Sequence, residues 1–130
     1  MRRRNVARHG FTLIELLIVM AILATLLTVA LPRYFGSVER SKEVTLMQSL
    51  SVMRDAIDKY YADRGRYPES LAELAQARYV RSIPVDPVTG SADGWVTVPP
   101  PDGPLSRGGV YDVRSGAPGK SQDGRSYSEF

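Results

Sequence analysis

The 130-residue chain has no cysteine and a single histidine, and each shortage removes a class of chemistry. Without cysteine there is no disulfide framework and no thiolate metal site. The one imidazole, His9, lies in a short basic leader, so the body of the chain has no histidine for a Ser-His or Cys-His pair. No glycine-rich phosphate loop and no cluster of metal-activating ligands stands out either. Catalysis is not expected.

A basic face is also missing. The formal charge is +3, but Arg2, Arg3, Arg4 and Arg8 all precede Gly10, and no acid does. Removing those four from the 17 basic residues leaves 13 against 14 acidic ones, a net charge of −1 for residues 11–130. A nucleic-acid-binding domain needs its basic surface on the folded part, so no nucleic-acid partner is expected.

What the chain does have is one long apolar run. From Phe11 to Leu31 only Thr12, Glu15, Thr25 and Thr28 are not apolar. A bilayer core needs about 20 mostly apolar residues in a helix, which this stretch just reaches. Arginines on its N-terminal side should stay cytoplasmic, giving a single pass with the C-terminal part outside. The rival reading is a secretory signal peptide, with Thr28-Val29-Ala30 as cleavage site. Against it, the run is long for such a segment, and Glu15 interrupts it.

Glu15 itself has a local explanation. Thr12-Leu13-Ile14-Glu15 fits the S/T-x-x-E capping box, and an acid in the first turn suits the helix dipole. Capping does not explain an acid with apolar neighbours on both sides, where an unpaired charge is costly in a membrane. If the chain were cut after Gly10, the new amino group of Phe11 would supply a cationic partner, in the same subunit or a neighbouring one.

Gly10-Phe11-Thr12-Leu13-Ile14-Glu15 resembles the class III signal of type IV prepilins and type II secretion pseudopilins. That resemblance implies removal of residues 1–10 on the cytoplasmic side by a prepilin peptidase, which also N-methylates Phe11. It makes Glu15 the residue that guides assembly, and Pro32 the helix-kinking proline common in the family. The implied partners are other copies of the chain in a helical filament, minor pseudopilins, the peptidase/methyltransferase, an inner-membrane assembly platform, and lipid before assembly. The implied location is the bacterial inner membrane, followed by a periplasmic filament.

Beyond Pro32 the apolar pattern narrows to a stripe. Leu46, Leu50, Met53, Ile57 and Tyr60 recur at three- and four-residue steps, flanked by Met47 and Tyr61. Such a stripe packs on the chain's own core. Gly65 is placed to end the helix. A helix from about Thr12 to Arg64 is thus predicted, with residues 11–31 as its assembly segment and 32–64 as its amphipathic half. Pro32 removes one backbone donor and Gly36 weakens the helix locally, so a bend or melted turn is expected across residues 32–36.

Residues 65–130 must build a small region on that helix, since they are too few for a large core of their own. Pro68–Ala77 reads as a short helix with Leu71 and Leu74 as contacts, and Asp86-Pro87-Val88-Thr89-Gly90 as a turn. Gly94–Val98 and Gly109–Val113 read as strands of an antiparallel sheet, with Pro99, Pro100, Pro101 and Pro104 stiffening the connection. Trp95, Tyr111, Tyr127 and Phe130 argue for an ordered, loop-rich tail. The expected class is α+β with a pilin-like fold.

The last loop, "DVRSGAPGKSQDG", offers Asp112, Ser115, Ser121 and Asp123 as oxygen ligands of a type suited to calcium. It is no EF-hand, and a polar surface loop is the competing reading. "DRGRYPESLAEL" followed by "IPVDPVTG" resembles the body of the major pseudopilins, a subgroup whose C-terminal loop binds structural calcium. The loop departs from that pattern at Pro118, where an aspartate is usual. Asp123 is then the best-matched remaining acid, with the Ser115 carbonyl as a further ligand. The functional expectation is a structural subunit of the type II secretion pseudopilus that helps export folded proteins; the alternative is a major or minor type IV pilin serving adhesion, motility or DNA uptake.

Overall fold

The computed structural model describes residues 9–103 and 109–130; the leader arginines and Pro104 lie outside the described residues. Helix α1 spans Leu13–Arg64, followed by α2 (Leu71–Gln76), β1 (Trp95–Val98), β2 (Asp112–Ser115) and a 3-10 turn at Tyr127–Glu129. The chain divides into two compact units, the first ending at Ser37 and the second running Val38–Phe130.

In the first unit, every described residue from His9 to Ser37 is exposed. Leucine, isoleucine, valine and alanine line all sides of α1 here, so no face is distinguished as a core face. This part of α1 is long and apolar enough to cross a membrane. Thr25 and Thr28, which interrupt the apolar run, turn their hydroxyls back onto the helix. Thr25 Oγ1 donates to the Ala21 carbonyl at 2.8 Å, and Thr28 Oγ1 to those of Ala24 and Thr25 at 2.9 and 2.7 Å. Bonded this way, they add little polarity to the surface.

The expected melted turn at residues 32–36 is not present in this single chain. Pro32 sits inside α1, which stays helical through Gly36. Pro32 deletes one intrahelical bond, but well-formed turns on both sides hold the helix across the gap, since propagation is far easier than nucleation.

The second unit is built on the stripe. Leu46, Leu50, Met53, Ile57 and Tyr60 are buried, and join Leu74, Val80, Trp95, Val110, Val113, Ala117, Tyr127 and Phe130 in one core. Met47 stays largely exposed, as a flanking position should. Gly65 ends α1 with φ +68°, and its amide bonds to the Tyr61 carbonyl at 2.8 Å. This is the left-handed cap that glycine adopts without steric cost.

Strands β1 and β2 pair antiparallel in the register Trp95↔Ser115 to Val98↔Asp112. The second strand lies two to three residues later than its sequence pattern suggests. The amides of Gly109 and Val110 go instead to the Pro68 carbonyl (3.1 and 2.9 Å), which ties this segment to the loop before α2. Only from Asp112 do Val113 and Ser115 alternate inward against an exposed Arg114. Tyr111, expected to help order the tail from within, is exposed and meets Tyr67 edge-on at 5.3 Å. Just past the strand, a Cβ on Gly116 would lie 2.1 Å from the Gly94 carbonyl oxygen, so only glycine fits there.

Candidate functional site

The segment singled out by sequence, Gly10 to Glu15, lies at the free start of α1. A side chain on Gly10 would meet nothing within 4 Å, and its backbone is not in the left-handed region. The fold therefore places no demand for glycine here, unlike at Gly65 or Gly116. Phe11 is 89% exposed. Glu15 makes the capping box: its Oε2 accepts the Thr12 amide at 2.9 Å, while its own amide donates to Thr12 Oγ1 at 3.2 Å. Around it Leu13, Ile14, Leu16 and Leu17 are all exposed. The arrangement is a carboxylate held at a helix start inside an uncovered apolar collar. Burying that collar in lipid or protein would raise the cost of the charge unless a cation joined it.

The four side chains considered for calcium fall into three separate hydrogen-bonded sets. Asp112 Oδ1 accepts Arg54 Nε at 2.8 Å, and Arg54 Nη2 also reaches the Val113 carbonyl at 2.9 Å, clamping β2 to α1. Ser115 is fully buried; its hydroxyl donates to Asp86 Oδ2 at 2.7 Å and accepts the Ala117 amide at 3.1 Å. Ser121 donates to Asp123 Oδ1, and Asp123 Oδ2 accepts Arg125 Nε at 2.8 Å. These contacts, Ser121 first and then Arg125, hold the Asp123 carboxyl at about 2, well below its usual range.

Calcium takes six to eight oxygens, usually with several carboxylates among them. Among the described residues no group of three or more acids or histidines converges, and the carboxylates of Asp112 and Asp123 each already hold an arginine. In this arrangement the four side chains do not form one metal-binding group.

Residues that sequence reasoning passed over organise the second unit. Asp86 is completely buried; its Oδ1 accepts the Val88 and Thr89 amides at 2.8 and 3.3 Å, leaving Oδ2 for Ser115. The signal was present, since an aspartate opening a Pro-Val-Thr-Gly turn can fold its carboxylate back on the following amides. Its link to Ser115 spans 29 positions and leaves no local signature.

Glu73, on α2, gathers Arg66 Nη2 (2.8 Å), the Tyr60 hydroxyl and the Glu69 amide (2.7 Å). Those contacts, Arg66 foremost, bring its carboxyl down to about 2. Burial, then the adjacent Glu73, raises the Tyr60 phenol. Glu43, on α1, accepts the Gln122 amide at 2.7 Å and lies 3.4 Å from the Tyr127 hydroxyl.

Comparison with known proteins bears on the N-terminal segment first. The family described as the prokaryotic N-terminal methylation motif matches residues 6–31. Over longer stretches the chain is similar to a fimbrial protein of Eikenella corrodens, 39% identical over 87 residues, covering 67% of this chain and 57% of that protein. It is 27% identical over 95 residues to type II secretion system core protein G of Pectobacterium carotovorum, covering 73% and 61% of the two chains. The core protein G of Klebsiella michiganensis is 28% identical over 115 residues, covering 88% and 78%. The chain thus spans less than two thirds of the length of the first two of these relatives. No solved structure matches it significantly. An exposed glycine the fold does not need, an acid five residues later and an apolar helix beyond belong together: the chain carries a prepilin N-methylation motif and is homologous to type II secretion core protein G of several species and to type IV pilins.

Proposed function

We propose that this chain is a structural, non-catalytic subunit of a type II secretion pseudopilus, stored in the inner membrane and polymerised from it to help export folded proteins. The observation that carries the reading is Gly10-Phe11-Thr12-Leu13-Ile14-Glu15 directly ahead of a helical segment exposed and apolar on every side. In this proposal residues 1–10 are removed, Phe11 is methylated, and residues 11–31 form the anchor. Residues 32–64 and 65–130 belong to the periplasmic part. Processing creates a cationic amine at Phe11, which pairs with Glu15 of an adjoining subunit as both leave the bilayer. That pairing offsets the desolvation of the two charges and sets subunit register. Apolar contacts with lipid are exchanged for contacts with other copies. Pro32 and Gly36 let α1 loosen in the assembled form.

The partners are further copies of the chain, minor pseudopilins, the peptidase/methyltransferase and the membrane assembly platform. Calcium is not part of this reading, because the four side chains considered for it do not converge. A second reading, a type IV pilin, is favoured by the 39% identity to a fimbrial protein. Deleting the gene separates the two: loss of protein export supports the first, and loss of surface fibres with export intact supports the second.

Mass spectrometry of the mature N-terminus tests what both readings share. N-methyl-Phe at residue 11 is expected, whereas a chain starting at Leu31 would sink both. Glu15→Ala should leave processed protein in the membrane and out of filaments; normal incorporation would refute the pairing role.

A further inference from the structure

The C-terminal loop is fastened from several sides by contacts within the chain. The Ser121 amide donates to the Arg125 carbonyl at 2.8 Å, and Gly124 to the Ser121 carbonyl at 3.0 Å. Lys120 and Ser126 form an antiparallel bridge. Inside this small ring Asp123 is the hub: Oδ1 takes the Ser121 hydroxyl and the Arg125 amide, and Oδ2 takes Arg125 Nε.

Arg125 has a second contact that extends the ring towards the core. Its guanidinium lies 4.6 Å from the centre of the Phe130 ring, and Phe130 is buried. A cation over an aromatic face is attracted by the ring quadrupole. From the helix side, Glu43 accepts the Gln122 amide, next to the hub. The cavity of about 260 Å³ here is lined by Arg40 and Arg125 as well as Glu43 and Asp123. The carboxylates face as many guanidinium groups, so a divalent ion entering would meet two cations and find the Asp123 oxygens taken.

We propose that Arg125 is the built-in cation of this loop: by bridging Asp123 to Phe130 it closes residues 119–130 onto α1 without a divalent metal. Arginine suits the task because its planar, permanently charged group can bond a carboxylate at its edge and cover a ring with its face. Closure of the second unit by Arg125 is independent of assembly. A chain that failed to assemble could still have it, and one that assembled could still lack it.

Thermal unfolding of the full chain in detergent tests it, followed by the fluorescence of Trp95, the single tryptophan, buried in the second unit. Millimolar calcium chloride and excess EDTA should give the same midpoint. Arg125→Gln should lower it by about 4–8 °C, the shift expected for a contact of ordinary strength in a unit this size. Arg125→Lys should recover part of that loss, since it keeps the charge but not the fork. A midpoint that rises with calcium or falls with EDTA overturns the proposal, and so does an Arg125→Gln midpoint equal to the parent's. If Arg125→Gln does not fold, the calcium and EDTA arms on the parent chain still decide.

Discussion

Helix α1 holds two kinds of surface in one regular backbone. Between Leu13 and Ser37 no residue is buried, although most are apolar. Between Val38 and Arg64 seven residues are buried, five of them large side chains repeating at helical spacing. The second stretch is stabilised by contacts the chain makes with itself, because its apolar residues share one face and a core covers that face. The first has no such face. Among the described residues, no part of the chain covers its apolar surface. Uniform hydrophobicity therefore marks a segment whose environment is external, and periodic hydrophobicity one whose environment is its own fold.

A matched pair of glycine substitutions should break this contrast most sharply. Gly116→Val puts a Cβ 2.1 Å from the Gly94 carbonyl oxygen, so the β1–β2 pair must separate and the tryptophan signal of the folded second unit should be lost. Gly10→Val meets open space and should leave that signal unchanged while blocking leader removal, seen as a heavier chain by mass spectrometry. If Gly10→Val unfolded the second unit, or if mature protein accumulated from it, the assignment of roles to the two glycines would be wrong.

Leucine truncations probe the same contrast at lower amplitude. Leu50 is buried in the core, and Leu50→Ala should cost about 2–5 kcal/mol in denaturant unfolding of the second unit. Leu23→Ala removes the same atoms from an exposed position and should shift that transition by less than about 0.5 kcal/mol. Equal shifts would show that the two stretches of α1 are not energetically distinct.

The smallest effect concerns acid. The Glu73 carboxyl falls from 4.5 to about 2 on folding, so its contribution is complete above pH 4.5 and disappears as pH drops through about 2. Asp123 titrates over a similar window, but its side chain is half exposed, and solvent screening weakens its share. Glu73→Gln should lower the urea midpoint modestly at pH 7 and flatten its decline between pH 4.5 and 2. An unaltered pH profile would remove Glu73 from the acid response.

Much of this was readable from residue order alone. The stripe from Leu46 to Tyr60, the stop at Gly65 and the capping box at Thr12 and Glu15 are periodic or short-range features, and the structure contains each of them. The start of β2 was misplaced because Gly109 and Val110 have strand-like side chains, yet their amides are claimed by Pro68, about 40 positions away. The four supposed metal ligands look equivalent in a polar loop. Folding divided them among three sets: Arg54 and Asp86, the partners of Asp112 and Ser115, lie far away in sequence, while Arg125, the partner of the Ser121–Asp123 pair, lies nearby but is an unremarkable surface residue until Phe130 packs beneath it.

By itself, then, the sequence determined where the chain is apolar on all sides and where on one side only. Those properties follow from spacing and side-chain chemistry within a few turns of helix. Only the tertiary structure decided which oxygens were still available to bind anything, because a carboxylate's partner is chosen by proximity in space. For Asp112, Ser115 and Asp123 that choice went to arginine and aspartate side chains of the same chain.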